Sequence, residues 1–265
     1  MTDLDARTLR DAYDLQIRPE IPDPLPAGVT VERDGPLVRV VGLDHRGFLT
    51  YRTLDGVAGP DLDALIARQV EFFRRRGEGV EWKLNGHDEP ADLGDRLRAA
   101  GFVPEDLETV VVGPVAALAA AVPMLPEGVR LREVTAREDL ERIRAMEEAV
   151  WHDDRGHLVT GLAKEIEADP QSITVVVAEA GDTVVSAGWV RYLPNTSFAT
   201  LWGGSTLPQW RKKGIYRALV AYRARLAEQR GKALVQVDCS PDSRPILERL
   251  GLVAVTTTTP YVYTP

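Results

Sequence analysis

Apolar and polar residues follow two spacings along the chain, and these spacings predict a mixture of strands and helices. In the first half, short apolar runs bounded by turn residues predict strands, and apolar residues three or four positions apart predict helices. Four prolines between residues 18 and 27 exclude a helix or an interior strand there, because proline lacks an amide donor. The predicted strands are 29–33, 37–43, 48–54, 80–84 and 108–112, and the predicted helices are 4–15, 62–76 and 92–100.

The second half continues in the same way after an alanine-rich crossover at residues 114–125. Thr135 is predicted to cap a helix, because apolar residues recur behind it at helical spacing up to Val150. The mixture of elements predicts an α/β (α+β) fold. The predicted strands are 129–134, 173–179, 183–192, 198–206, 233–238 and 253–263, and the further predicted helices are 214–230 and 244–250.

The order helix, strand, helix, strand occurs twice, which indicates an internal repeat. Gly101-Phe102 ends the second helix of the first copy, and Gly251-Leu252 ends the second helix of the later one. Any two α/β units share part of this order, but we favour a tandem duplication. A chain of 265 residues is long enough for two domains, which we place at 1–120 and 121–265.

Composition limits the classes of function. The net charge of -8 argues against a nucleic-acid partner, since such binding depends on basic residues that neutralise phosphates. No apolar run reaches the about 18 residues that span a bilayer, and the N-terminus lacks a signal-peptide core, so we expect a cytoplasmic protein without a membrane partner. Cys239 is the single cysteine, and the four histidines show no metal-ligand spacing, so no metal site is expected. The chain is expected to be a monomer or a homodimer.

The segment 201–227, LWGGSTLPQWRKKGIYRALVAYRARLA, carries the clearest chemistry. A strand runs into a turn, and Arg211, Lys212, Lys213 and Gly214 begin a helix. Free amides and the positive dipole at a helix start bind phosphate oxygens, and glycine allows a close approach. From the residues alone, a basic, solvated helix start explains the pattern equally well.

This stretch resembles the Arg/Gln-x-x-Gly-x-Gly/Ala signature of the GNAT acyltransferases. Pro208 precedes Arg211 by three residues, and Leu250-Gly251-Leu252 is similar to the Leu-Gly-Phe of that family. The resemblance covers residues 128–265. The first half resembles a degenerate copy of the same family, so the chain is similar to tandem GNAT proteins. The resemblance implies two units, each with a mixed, largely antiparallel central sheet flanked by helices.

The resemblance also implies which residues bind the cofactor, and two positions differ from the family pattern. Acetyl-CoA is the implied co-substrate, and Tyr216 stands where the family prefers glycine or alanine. Leu247 aligns with the tyrosine that many members use to protonate the leaving thiolate, so the usual acid is absent. The pyrophosphate contacts fall on Arg211, Lys212, Lys213, Gly214, Ile215 and Tyr216, and the pantetheine contacts fall on Gly204, Ser205 and Thr206.

The catalytic candidates lie at one strand end and in one loop. Asp238 and Ser240 are expected to face the reaction centre. His152, Asp153 and Asp154 are further candidates for a base, although a solvated loop is the more ordinary interpretation.

The remaining candidates are apolar. Trp189, Tyr192 and Trp202 are either core residues or the wall of an acceptor pocket, and core is the commoner role for aromatic residues on strands. Cys239 is interpreted as a small buried residue.

Two functions remain open from the sequence. The first is an acetyl-CoA-dependent N-acetyltransferase in which the amine of a small-molecule substrate attacks the thioester directly. The second is a non-catalytic acyl-CoA-binding regulatory or scaffold protein, which the absent tyrosine at Leu247 favours in part.

Overall fold

A computed structural model describes residues 5–19, 21 and 23–265, and the elements below are those of the described residues. The helices are α1 (Ala6–Gln16), α2 (Gly59–Arg76), α3 (Leu93–Ala99), α4 (Val115–Ala119), α5 (Arg137–Trp151), α6 (Gly156–Ala168), α7 (Ile215–Gln229) and α8 (Arg244–Arg249). The strands are β1 (Thr30–Asp34), β2 (Leu37–Val41), β3 (Gly47–Thr50), β4 (Val80–Asn85), β5 (Val103–Pro104), β6 (Glu108–Pro114), β7 (Val129–Val134), β8 (Ile173–Ala180), β9 (Thr183–Tyr192), β10 (Phe198–Thr206), β11 (Leu234–Cys239) and β12 (Val253–Tyr263).

These strands form one continuous sheet in the order β1-β2-β3-β4-β12-β6-β11-β10-β9-β8-β7, with β5 paired to β12. Two of the described strand pairs are parallel, β3 with β4 and β10 with β11. Helices α2 and α7 make the crossovers within these two pairs, as parallel strands require. The structure confirms the predicted fold class, a mixed and mostly antiparallel sheet flanked by helices.

Strands from the two halves of the sequence alternate at the centre of the sheet. Strand β6, from the first half, lies between β11 and β12, and β12, at the end of the chain, lies between β6 and β4. The strands before and after residue 120 therefore belong to one sheet, with no free sheet edge between them. The division into domains at 1–120 and 121–265 stays a prediction.

Helices cover both faces of the sheet, and alternating residues of β8 show how. Val175 and Val177 pack with α5 and α6, whereas Val176 and Ala178 pack with α7 on the opposite face. This alternation is the two-residue period of a strand buried on both faces. Helix α1 packs against β6 and β12 at the centre of the sheet, where Leu9 and Tyr13 are buried.

The structure differs from the predicted elements in several details, among them α4 and β5, which were not predicted, and the start of α2 at Gly59. Helix α5 begins after Ala136 without a side-chain cap, so Thr135 does not cap it. Helix α6 was not predicted, although Asp154 Oδ1 accepts a hydrogen bond of 2.8 Å from the amide of Gly156 at its start. Strand β3 ends at Thr50, four residues before the predicted end. Leu4, the predicted start of the first helix, lies outside the described residues.

Candidate active site

A groove opens where the parallel strands β10 and β11 separate. Their pairing ends at Thr200 with Gln236, and beyond that point β9 is the one partner of β10 among the described strands. The pairing of β10 with β9 is interrupted by a bulge between Gly203 and Ser205, and Gly203 and Gly204 have φ of 67° and 96°. These left-handed values favour glycine. The edge of β10 beside the bulge is thus free to pair with an extended ligand.

The groove leads to a tight turn and the start of α7. Residues Pro208–Trp210 form one turn of 3-10 helix, and Lys212 and Gly214 have φ of 60° and 83°. Gly214 is the N-cap and offers no side chain, so the amides of the first turn of α7 lack partners within the helix. Unpaired amides at a helix start form a binding site for an anion.

The basic side chains of this turn are exposed. Arg211 Nε donates a hydrogen bond of 3.0 Å to the carbonyl of Thr206, which ties the turn to the end of β10. Lys213 Nζ lies 4.7 Å from the ring centroid of Trp210. Together with Lys212, these groups place positive charge around the unpaired amides.

Two residues of the predicted pyrophosphate set point elsewhere. Ile215 is 1% exposed and its side chain lies in the apolar core, so only its backbone is available to a ligand. The ring of Tyr216 lies under the bulge, because a Cβ built on Gly204 would be 2.6 Å from Tyr216 Cε2. Burial raises the pKa of Tyr216.

The side chains of the predicted pantetheine residues are held by hydrogen bonds. Thr206 Oγ1 and Ser186 Oγ are 2.8 Å apart. Ser205 Oγ donates a bond of 2.7 Å to Glu147 Oε2.

Glu147 is a candidate that the sequence reasoning missed. It lies on α5 and is 5% exposed, and its Oε2 also accepts a bond of 2.9 Å from Trp151 Nε1. Its other oxygen, Oε1, is buried without a partner among the described residues. Burial raises the pKa of this carboxyl group. A glutamate four residues after Ile143 and three before Val150 stands in an apolar stripe, which was the available signal.

A cavity of about 440 Å³ lies between the two parallel strand pairs. Its wall includes Tyr192 and Trp202, and Trp202 is 41% exposed, whereas Trp189 is buried in the core. Asp238 also lines the cavity, but its two oxygens accept bonds from Lys83 at 2.5 Å and from Gln236 at 2.7 Å. The carboxylate of Asp238 is therefore already paired.

Ser240 lies outside this cavity. It is exposed, and its Oγ is 3.2 Å from Ser243 Oγ at the start of α8.

The loop candidates have structural partners. Asp153 pairs with Arg155 at 2.7 Å, and Asp154 holds the start of α6. His152 is exposed at the end of α5 with φ of 61°. These contacts agree with the interpretation of a solvated loop.

Leu247 and Cys239 are both buried. Leu247 is fully buried in the same apolar cluster as Cys239. Burial raises the pKa of Cys239 to about 11, so its thiol stays protonated at neutral pH.

A second cavity, of about 640 Å³, lies at the start of α2 in the first half. Its wall includes Asp11, Asp14, Asp55, Asp88 and Glu89. Arg18 and Arg52 line it as well, so the wall carries charges of both signs. Within the described chain, no cluster of three or more metal-binding side chains occurs, and no helix has the length and apolarity to cross a bilayer.

A buried network fills the space where β3 and β4 separate. Arg18 Nη2 donates to Asp88 Oδ1 at 2.6 Å, and both side chains are 5% exposed. Asp88 Oδ2 accepts from Tyr51 Oη at 2.6 Å and from the amide of Asn85 at 2.8 Å. This network stands between the two cavities, because Arg18 lines both of them.

We expect Asp88→Ala to lower the free energy of unfolding by about 3 to 5 kcal/mol. The buried guanidinium of Arg18 then keeps Asp14 but loses its shorter ion pair, and Tyr51 and the amide of Asn85 lose their acceptor. Urea unfolding measures this loss. Asp95→Ala is the control, since Asp95 pairs with Arg98 on the surface, where its side chain is 85% exposed. Adding Arg18→Met to Asp88→Ala should restore part of the stability. Equal losses for the two aspartates would contradict the importance of the network.

Comparisons with known proteins agree with this geometry. Residues 137–252 match the model of the acetyltransferase (GNAT) family, and no curated protein sequence matches the chain. A GCN5-related N-acetyltransferase from Kribbella flavida is 15% identical with a TM-score of 0.67, and the match covers 100% of this chain and 97% of that one.

Two further structures cover most of the chain. A tandem GNAT protein from the clavulanic acid biosynthesis pathway is 13% identical with a TM-score of 0.61, covering 90% of this chain and 84% of its own. A GCN5-related N-acetyltransferase from Sphaerobacter thermophilus is 14% identical with a TM-score of 0.59, covering 88% and 81%. Residues 137–252 thus match the GNAT acetyltransferase family, and the chain as a whole shares the fold of GNAT structures.

Proposed function

We propose that the protein is an acetyl-CoA-dependent N-acetyltransferase that acts on the amine of a small molecule. The observation that carries this proposal is the groove between β10 and β11, which leads directly to the uncapped start of α7. An extended chain that ends in a diphosphate has the shape and charge for such a groove. The match of residues 137–252 to an acetyltransferase family supports the same coenzyme.

The two ends of acetyl-CoA are bound by different chemistry in this proposal. The diphosphate binds the amides of residues 214–216, and Arg211, Lys212 and Lys213 balance its charge. The pantetheine arm pairs with the free edge of β10 at Gly204, Ser205 and Thr206. The thioester then lies near the bulge, where amide groups can donate to the oxygen of its carbonyl.

The cavity of about 440 Å³ is the proposed acceptor pocket. Most of its charged groups are paired with each other, as in the bond of 2.6 Å between Arg191 and Glu165 and the pair of Lys83 with Asp238. The remaining wall is largely aromatic and aliphatic. A pocket of this kind favours an amine with an apolar body.

The proposed reaction is a direct transfer. The amine nitrogen forms a bond to the thioester carbonyl carbon, the carbon–sulfur bond then breaks, and its electron pair leaves on sulfur. The nitrogen must lose a proton to a base. We assign this role to Glu147, which has one oxygen without a partner in the described part of the chain and contacts the groove through Ser205. Asp238 is assigned to the wall of the acceptor pocket.

A non-catalytic acyl-CoA-binding protein is the second candidate. The observation in its favour is Leu247, which is buried among apolar side chains at the position aligned with the acidic tyrosine.

Calorimetric titration with acetyl-CoA, followed by thiol release in the presence of amines, separates the two candidates. The panel should contain arylalkylamines, aliphatic amines, polyamines and a short peptide. We expect saturable binding and thiol release with apolar amines in preference to polyamines. Binding without release for any amine would favour the second candidate. Absence of binding would contradict both.

A further inference from the structure

Arg223 is a buried cation that pairs with no carboxylate among the described residues. It lies on α7 and is 1% exposed. Its Nη1 donates to the carbonyls of Trp189 at 3.1 Å and Trp202 at 2.8 Å, and its Nε donates to the carbonyl of Leu219 at 3.1 Å. No carboxylate of the described chain forms an ion pair with it.

A buried guanidinium with no carboxylate partner in the described chain is unusual. Burial lowers the pKa of Arg223 to about 10, so the guanidinium remains charged at neutral pH. An uncompensated buried charge destabilises a fold unless another group balances it. Arg18, the other deeply buried arginine described above, pairs with Asp88 and Asp14. The environment of Arg223 therefore favours the binding of an anion beside it.

Two glycines make room for the guanidinium beside the bulge between β9 and β10. A Cβ built on Gly188 would be 2.6 Å from Nη1, and a Cβ built on Gly204 would be 3.8 Å from Nη2. Nη2 makes no hydrogen bond within the described chain, whereas Nη1 and Nε both do. The free nitrogen thus lies beside Gly204, in the part of β10 that borders the proposed coenzyme groove.

We infer that Arg223 stabilises the negative charge that develops on the coenzyme sulfur when the carbon–sulfur bond breaks. This inference rests on the proposed function. The electron pair of the broken bond stays on sulfur, Arg223 remains protonated, and the thiolate takes its proton from solvent after the acetyl group has moved to the amine. A fixed positive charge performs this task without a proton donor. Arg223 can therefore stabilise the leaving sulfur in a protein that has Leu247 in place of a proton-donating tyrosine.

The thiol pKa of bound coenzyme A tests the inference without an acceptor amine. The ultraviolet absorbance of the thiolate is followed against pH for the complex with coenzyme A, and the same titration with desulfo-coenzyme A is subtracted. The subtraction removes the contributions of Cys239 and the tyrosines. We expect binding to lower the thiol pKa of coenzyme A by about 1 to 3 units, the effect of an opposite charge nearby.

Two variants assign that shift to Arg223. Arg223→Met should bind coenzyme A but lose most of the shift. Arg225→Met is the control, because Arg225 is on the same helix and donates to a backbone carbonyl, that of Ala121 at 3.2 Å, away from the bulge. It should keep the shift in full.

The outcomes separate this inference from the proposed function. Saturable binding of coenzyme A with an unshifted thiol pKa would overturn the inference and leave the coenzyme site in place, and this result needs only the wild-type protein if Arg223→Met does not fold. An equal shift in wild type and Arg223→Met would overturn it too. Absence of binding would contradict the proposed function instead.

Discussion

Replacing Gly214 by aspartate should weaken acetyl-CoA binding by about a hundredfold, which corresponds to about 3 kcal/mol. Gly214 has φ of 83°, and a Cβ at this position would lie 3.0 Å from the carbonyl oxygen of Met124. Any side chain there disturbs the turn, and a carboxylate also places negative charge beside the amides that we assign to the diphosphate. Both effects act on the same interaction, so the expected loss is large. Calorimetric titration measures the affinity.

Gly231→Asp is a closely matched control. Gly231 follows the other end of α7, has φ of 72°, and has no atom within 4 Å of an added Cβ. Aspartate at either glycine is strained by the left-handed backbone. Only Gly214 faces the proposed coenzyme site. Thermal melts of both variants monitor the fold. Similar affinities in the two variants would contradict the placement of the diphosphate at the start of α7.

The elements around the proposed groove could be predicted because their signals are local. Strand β10 is an apolar run, and α7 shows apolar residues at helical spacing after a glycine. The placement of β6 beside β11, and of β12 beside β4, at the centre of the sheet has no such local signal. Both β6 and β12 have an apolar pattern that fits each of these two places in the sheet. Strands that pair in a sheet can be distant in sequence, so the pattern does not show which strand takes which place. Helix α6 was missed because glycine at 156 and 161 reads as a loop.

The site residues likewise divide into those with a local sequence signal and those that depend on contacts between distant elements. Arg211 to Gly214 are found as a motif because adjacent residues carry the chemistry. Glu147 and Arg223 act through partners on other elements, so no short motif contains them. Each replaces an apolar residue in a helical stripe: Arg223 follows Leu219 by four positions, as Glu147 follows Ile143. A charged residue in such a stripe is either paired in the core or turned toward a ligand. Contacts in three dimensions are needed to decide.

Glu147→Gln should reduce the rate of acetyl transfer by about a hundredfold to ten-thousandfold, the usual contribution of a general base. The amide of glutamine can still accept from Ser205 and Trp151, so the fold and the affinity for acetyl-CoA should remain. Removing a buried charge should not destabilise the protein. Thiol release with the best amine of the panel measures the rate.

The pH dependence of the same reaction distinguishes a base from a structural residue. Burial raises the pKa of Glu147 above the ordinary value of 4.5, so the active, ionised form is lost at a higher pH than for an exposed glutamate. The wild-type rate should fall as pH falls through that raised pKa, and Glu147→Gln should lack this limb. Glu148→Gln is the control, because Glu148 is adjacent and pairs with Arg144 at the surface. It should keep both the rate and the profile. A Glu147→Gln variant with the wild-type rate would assign the proton transfer to another group, and an unchanged profile at lower rate would limit Glu147 to holding Ser205.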